Sequence, residues 1–309
     1  MKKKLLITGV SGLLGSNLAY SLRDRYEISG LYLNHEITMD KVSIFPCDLR
    51  KKLEIEKILN GMHPDIVIHC AAQANVDICE EKPQEAEELN VKSTKNLVES
   101  LPQSTKFIYI STDLVYDGIK GNFKEDDPTG PLNVYARTKL EGEKEALKAR
   151  GSLVFRTNFY GWNIKNKESL GEWVVNALSA NKEINGFTDA IFSSIYTFDL
   201  ARLMDKAIRE DIAGVYNLGS SGFLSKYGFA KAIADKLGLD AGLIKPMSID
   251  DFGFKAKRSK DLSLDVSKLE RDIGADSLPV EISIENFIRG HKDGISNTFK
   301  TFSEKEYKS

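Results

Sequence analysis

Lys4-Leu5-Leu6-Ile7-Thr8-Gly9-Val10-Ser11-Gly12-Leu13-Leu14-Gly15 decides how the chain is read. A short apolar run ends in three glycines spaced three apart, and Leu14, Leu18 and Leu22 then recur at helical spacing. That pattern predicts a buried strand at Lys4–Thr8, a tight turn, and a helix over 13–25. Glycines at such a turn let a ligand approach backbone N–H groups where a helix begins. A turn needed only for packing is the alternative.

Moving outward, apolar runs at 26–33, 42–46, 65–69 and 106–110 alternate with helical patterns at 53–59 and 83–101, where Pro83 suits a first helical turn. Continuous apolar strands separated by helices predict a doubly wound parallel α/β sheet covered on both faces, a Rossmann arrangement. An irregular stretch at 117–132, rich in Gly, Asp and Pro, precedes a charged helix over 134–149 and a strand over 153–156. Beyond residue 158 the pattern loosens. The expected division is a dinucleotide-binding domain at 1–158, with contributions from about 190–215, and a smaller α/β substrate-binding part at 159–290. A polar, poorly ordered tail is expected at 291–309.

With 43 Lys+Arg against 45 Asp+Glu, the net charge of −2 excludes the basic excess a nucleic-acid or anionic-membrane binder needs. No run is long enough to span a membrane. Met1-Lys-Lys-Lys4 before an apolar run imitates an export signal, but Thr8, Gly9, Ser11 and Gly12 break it, so the cytoplasm is the expected location. Cys47, Cys70 and Cys79 make no disulfide framework, and the four histidines stand at no zinc-ligand spacing.

Tyr135 and Lys139 lie one helical turn apart, so both side chains share a face. A phenol beside an ammonium is suited to protonating the oxygen of a ketone as hydride arrives at carbon. Tyr116/Lys120 and Tyr227/Lys231 have the same spacing. Tyr116 precedes the turn signal Asp117-Gly118, and Tyr227 is far in sequence from the sheet. Tyr135 follows the strand that ends at Ser111-Thr112-Asp113, whose C-terminal end should border the cofactor crevice. Thr112 can donate to the same oxygen. A surface tyrosine beside a solvated lysine is the alternative.

The ordered set Thr8-Gly9-x-x-Gly12-x-x-Gly15, Cys47-Asp48-Leu49, His69-Cys-Ala71-Ala72, Ser111-Thr112-Asp113-Leu-Val115-Tyr116, Tyr135-x-x-x-Lys139 and Arg156-Thr157 resembles an extended short-chain dehydrogenase/reductase. Ala74-Asn75-Val76-Asp77, Glu80-Glu81-Lys82-Pro83 and Arg258 before Leu262-Ser263-Leu264-Asp265 narrow the resemblance to the dTDP-4-dehydrorhamnose reductase family, over nearly all the chain to about Gly290. The resemblance implies an NAD(P)H-dependent reductase of a nucleotide-activated 4-keto-6-deoxy sugar, in the making of polysaccharide precursors. Tyr135 would donate the proton, Lys139 would hold the nicotinamide ribose and lower the Tyr135 pKa, and Thr112 would orient the ketone. Gly9, Ser11, Gly12, Leu13, Leu14, Gly15, Asn34, Asp48, Leu49, Ala71, Ala72, Gln73 and Asn90 would form the cofactor site with Tyr135 and Lys139. Val76, Thr112, Asp113, Asn158, Phe159 and Arg258 would meet the sugar nucleotide. The alternative for Arg258 is a solvated basic cluster over 255–260.

The chain departs from the family pattern at Ser259, where proline is frequent, and at Phe159, where the rhamnose enzymes tend to have tryptophan. Asn17 stands where some members place a metal-binding glutamate at a dimer contact, so no metal is expected; a homodimer is a possible assembly. Leu33-Asn34-His35 at the end of the second strand has no carboxylate for the adenosine ribose, which leans the cofactor to NADP, with NAD the alternative. Two other readings stay open. One is a nucleotide-sugar epimerase or dehydratase. The other, of a different class, is a non-catalytic subunit resembling the regulatory subunit of methionine adenosyltransferase.

Overall fold

The computed structural model describes residues 2–164 and 167–302. Strand β1 (Lys4–Thr8) runs into α1 (Leu13–Leu22), followed by β2 (Glu27–Tyr32), β3 (Val42–Pro46), α2 (Lys52–Met62) and β4 (Ile66–His69). Next come α3 (Val76–Glu81), α4 (Pro83–Glu87), a single π-helical turn at Glu88–Lys92, α5 (Ser93–Ser100) and β5 (Lys106–Ile110). The helix expected over 83–101 is therefore interrupted by the wider turn, which places Asn90 inward. Helix α6 (Val134–Ala146) and β6 (Leu153–Thr157) complete the first half.

The second half contains β7 (Phe159–Tyr160), α7 (Leu170–Ser179), β8 (Ile184–Phe187), β9 (Ile191–Phe192), β10 (Ile195–Tyr196) and α8 (Thr197–Arg209). It continues through β11 (Gly214–Leu218), β12 (Leu224–Ser225), α9 (Lys226–Leu237), β13 (Ile244–Met247) and β14 (Asp261–Leu262) to α10 (Ser267–Ile273), α11 (Val280–Lys292) and α12 (Ile295–Thr301).

The central sheet has seven parallel strands in the order β11-β6-β5-β4-β1-β2-β3. Its strands are apolar on both faces, because successive side chains point to opposite sides. Leu5, Ile7, Ile66, Ile68, Ile108, Leu153 and Phe155 enter the core beneath α1 and α8. Leu6, Val67, Phe107, Tyr109 and Val154 enter the core on the other face, with Ile55, Leu59, Leu97 and Ala146 from α2, α5 and α6. Helix α8 and strand β11 return from the C-terminal half to cover and extend this sheet, while β8–β13 and β12-β9-β14 form small sheets with α7, α9 and α11.

The expectation of a polar tail from residue 291 is corrected over 291–302. Helix α12 buries Phe299 completely and sets its ring 5.2 Å from that of Tyr20 on α1. An aromatic pair of this kind outweighs the polar composition around it. Residues 303–309 lie outside the described residues.

Candidate active site

The C-terminal ends of β1 and β4 open a groove lined by Gly9, Ser11, Gly12, Asn34, Asp48, Leu49, Ala71, Ala72 and Gln73, with Leu33 and His35 at the end of β2. Gly9 has φ +67°, and a Cβ there would stand 2.8 Å from the Ala71 Cα. The loop therefore presents bare backbone where α1 begins, with Gly12 as its N-cap. This cradle fits a pyrophosphate, whose charge suits free N–H groups and the positive end of a helix. Leu13 and Leu14 are the first residues of α1; the Leu14 side chain is buried in the core, so what these positions can offer the groove is a backbone N–H of the first helical turn. Gly15 stands outside the groove, because a Cβ there would lie 2.3 Å from Gly9 O; it lets α1 pack on the loop. Asp48 is held by Arg50 through two bonds of 2.8 Å.

Asn90 is 1% exposed and acts behind the groove. Its Oδ1 accepts from Gln73 N at 2.8 Å, and its Nδ2 donates to Gln73 O at 3.3 Å and to Thr138 Oγ1 at 2.9 Å. The π-helical turn thus ties the loop after β4 to α6, between Tyr135 and Lys139. Wider turns of this type recur at functional sites.

Thr112 and Tyr135 meet. Asn133 caps α6 by accepting from Ala136 N at 2.9 Å, which starts the helix so that Tyr135 faces the end of β5. The Tyr135 hydroxyl is a near neighbour of the Thr112 hydroxyl, which donates to Asp113 Oδ1 at 3.2 Å. Burial pushes the Tyr135 phenol well above its ordinary range, the Thr112 hydroxyl opposes this, and the Asp113 charge adds to it. Lys139 Nζ sits 4.0 Å above the Tyr109 ring, near Glu143 and Cys70. Burial pulls Lys139 down to about 7. The phenol is consequently held as the acid, the form from which a proton can be given.

Asp113 is fully buried, pushed up by that burial to about 6, and accepts from Asn158 Nδ2 at 3.1 Å. It stands next to Thr112, which donates to its Oδ1. Phe159 is half-buried at the start of β7. Val76 opens α3, beside Asp77, whose carboxylate receives Arg258 Nη2 at 2.7 Å. Arg258 is thus a paired, sheltered cation and not part of a solvated cluster. Its loop is fastened next to Tyr135 by Asn133 Nδ2 donating to Lys257 O at 3.0 Å.

The competing pairs separate clearly. Tyr116 is completely buried, with its hydroxyl donating to Lys124 O or Asn217 Oδ1 and accepting from Arg156, while Lys120 pairs with Asp127. Tyr227 lies on α9, with Lys231 5.9 Å from its ring centroid.

Two features escaped the sequence reading. Glu143, one turn beyond Lys139, forms a buried ion pair with Arg156 at 2.9 Å and receives the Ser111 hydroxyl. The continuing four-residue spacing Tyr135, Lys139, Glu143 was its only signal. His69 is buried between Thr8 Oγ1 at 2.7 Å and Thr94 Oγ1 at 3.1 Å, and burial pulls it down to about 3, so it is a neutral packing group. Asn17 donates to Leu13 O and Trp162 O and accepts from Thr197. Among the described residues no group of three or more His, Cys, Asp and Glu could hold a metal ion. No helix among them is long and apolar enough to cross a membrane.

Sheet order, glycine cradle and the Thr112–Tyr135–Lys139 set define an NAD(P)-dependent oxidoreductase of the extended short-chain dehydrogenase/reductase class. The chain belongs to the RmlD substrate binding domain family, whose model matches residues 3–292. It is 29% identical to a probable low-salt glycan biosynthesis reductase of Haloferax volcanii, covering 89% of this chain and 94% of that protein. It is equally 29% identical to dTDP-4-dehydrorhamnose reductase of Aggregatibacter actinomycetemcomitans, over 88% and 93%. Methionine adenosyltransferase 2 subunit beta of Danio rerio is 27% identical, over 92% and 90%. Among solved structures, dTDP-4-dehydrorhamnose reductase of Bacillus anthracis in complex with NADP superposes with TM-score 0.82 at 26% identity, over 94% of this chain and 99% of that one.

Proposed function

We propose that the chain reduces the 4-keto group of a nucleotide-activated 6-deoxy sugar, with Tyr135 as proton donor, in the cytoplasm. The observation that carries this reading is the Thr112–Tyr135 hydroxyl pair at the end of β5, with Lys139 one turn further along α6. A nicotinamide dinucleotide, when bound, supplies the hydride. Gly9, Ser11, Gly12 and the Ala71–Gln73 segment hold its pyrophosphate and ribose, and Lys139 reaches the nicotinamide ribose. Thr112 holds the ketone oxygen, and Tyr135 Oη gives that oxygen its proton. Lys139 lies one turn from the phenolate left behind and offsets its charge.

NADP is the proposed cofactor. The end of β2 offers Leu33, Asn34 and His35 and no carboxylate to repel a 2′-phosphate, and the Bacillus anthracis neighbour binds NADP. Titration with NADPH and NADH checks this; tighter NADH binding would reverse it.

The test is NADPH oxidation with a panel of 4-keto nucleotide sugars generated in situ, comparing the wild type with Tyr135→Phe. Stoichiometric oxidation by the wild type, lost by about 10²–10⁴-fold in the variant, supports the assignment. Full activity of Tyr135→Phe would sink the proton donor, and conversion without net NADPH use would indicate an epimerase or dehydratase. Similarity to methionine adenosyltransferase 2 subunit beta supports a second reading, a regulatory partner. It is favoured if no ketone is turned over and the protein copurifies with a synthetase subunit.

A further inference from the structure

Lys226 belongs to no motif, and the mechanism does not use it. It is the first residue of α9 and is half-buried, with its Nζ 5.8 Å from the Phe187 ring centroid. Its own amide is already spent on Ala190 O at 2.9 Å, and Ser225 caps the helix by accepting from Gly228 N. The side chain makes no hydrogen bond or ion pair among the described residues. Arg156 is paired with Glu143 and Lys106 with Asp211, and Lys139, buried without an ion pair, belongs to the catalytic set. A desolvated ammonium without a partner costs stability, and such groups are kept where a ligand supplies the missing charge.

The surroundings indicate which ligand. The Phe187 ring packs against Phe254 with centroids 5.7 Å apart, and the Arg258 guanidinium lies 4.5 Å from the Phe254 ring. Lys226 and Arg258 therefore stand at the two ends of one aromatic pair. Arg258 gives Nη2 to Asp77, and its Nε and Nη1 make no protein hydrogen bond among the described residues. The charges facing Lys226 are Asp113 and Arg258, so two cations approach each other across this pair. A fixed fork and a point charge suit the oxygens of linked phosphates. A carboxylate on the reacting sugar ring fits less well, because Asp113 backs the catalytic end.

We infer that Lys226 and Arg258 form a clamp for the diphosphate of the substrate, with Lys226 setting the affinity for that anion. The inference rests on the nucleotide-sugar reading and adds a residue that reading does not contain. The clamp is at a fixed reach from the reacting oxygen, because the Arg258 loop is bonded through Ala256 N to Asp77 and through Lys257 O to Asn133, two residues before Tyr135.

The test is calorimetric titration with inorganic pyrophosphate, UDP and dTDP, on protein saturated with NADPH so that the cofactor groove is filled. Wild type, Lys226→Met, Lys226→Arg and Arg258→Met are compared. Lys226→Met should weaken pyrophosphate and nucleoside diphosphate binding by about tenfold, a loss of about 1.4 kcal/mol, with Lys226→Arg restoring most of it. NADPH affinity should be the same in all four proteins, which verifies the fold. In turnover, the KM of Lys226→Met should rise by a similar factor of about ten while kcat holds. Absence of pyrophosphate, UDP and dTDP binding to the wild type, or equal binding by Lys226→Met, overturns the clamp. The two proposals fail separately: diphosphate binding through Lys226 without ketone reduction sinks only the activity, and reduction indifferent to Lys226→Met sinks only the clamp.

Discussion

Replacing Lys139 by methionine should stabilise the protein while abolishing its chemistry. The side chain is 3% exposed, and burial pulls its pKa from 10.5 to about 7. Between those two values the unfolded chain carries a proton that the folded chain has released, so wild-type stability rises with pH across that window. Below pH 7 both states are charged and the folded one bears the full desolvation cost. A shift of this size corresponds to roughly 3–5 kcal/mol. Methionine keeps the aliphatic packing over Tyr109 without the charge, and Glu143 stays neutralised because its partner is Arg156.

Lys139→Met should therefore exceed the wild type in stability by roughly 3–5 kcal/mol at pH 7, the gap closing as pH approaches 10. Urea midpoints measured at pH 7, 8, 9 and 10 on both proteins read this directly. At the same time kcat/KM should fall by about 10²-fold or more. Parallel stability profiles with a constant gap would refute the reasoning, because the buried ammonium would then carry no cost. A variant less stable than the wild type at pH 7 would refute it as well.

Further outcomes follow from other contacts. Gly9→Ala forces a Cβ into Ala71 at a positive φ, so NADPH affinity should drop by about tenfold or more, with about 1–3 kcal/mol lost in urea unfolding. Glu143→Gln and Arg156→Met each leave a buried charge unpaired and should each cost about 3–5 kcal/mol, whereas the double variant should lose much less than their sum in a double-mutant cycle. Asp113 titrates near 6 when folded, so its contribution to stability is full below pH 4 and lost as pH rises through 6. Asp113→Asn should remove that decline and gain up to roughly 3 kcal/mol at pH 8 by thermal or urea unfolding.

Much of the fold is legible in local pattern. The alternation of apolar runs with helical periodicity already implies a parallel sheet, and glycines 9, 12 and 15 at a strand–helix junction already imply a dinucleotide cradle. The groove contains most of the predicted cofactor residues because they cluster at strand ends, which periodicity locates. The Leu14 side chain belongs to the same motif yet faces the core, and Gly15 meets the Gly9–Val10 backbone, a distinction that depends on which side of α1 meets the sheet. The tail was misread because composition weighs Phe299 against its polar neighbours, and only docking on Tyr20 decides that contest.

Local pattern establishes the class of chemistry: a nucleotide loop, then Thr112, Tyr135 and Lys139 in an order and spacing that one helix and one strand end can bring together. Such information is local, since it needs only backbone periods. What tertiary structure decided is the state of those groups and their company. Arg258 meets Asp77, 181 residues away, and Asp113, Arg258 and Lys226 converge from separate elements. Protonation depends on how much water and which charges surround a side chain, and those neighbours come from distant parts of the chain. Hence burial holds Tyr135 protonated, and a lysine in no motif stands beside Arg258 without an ion pair of its own.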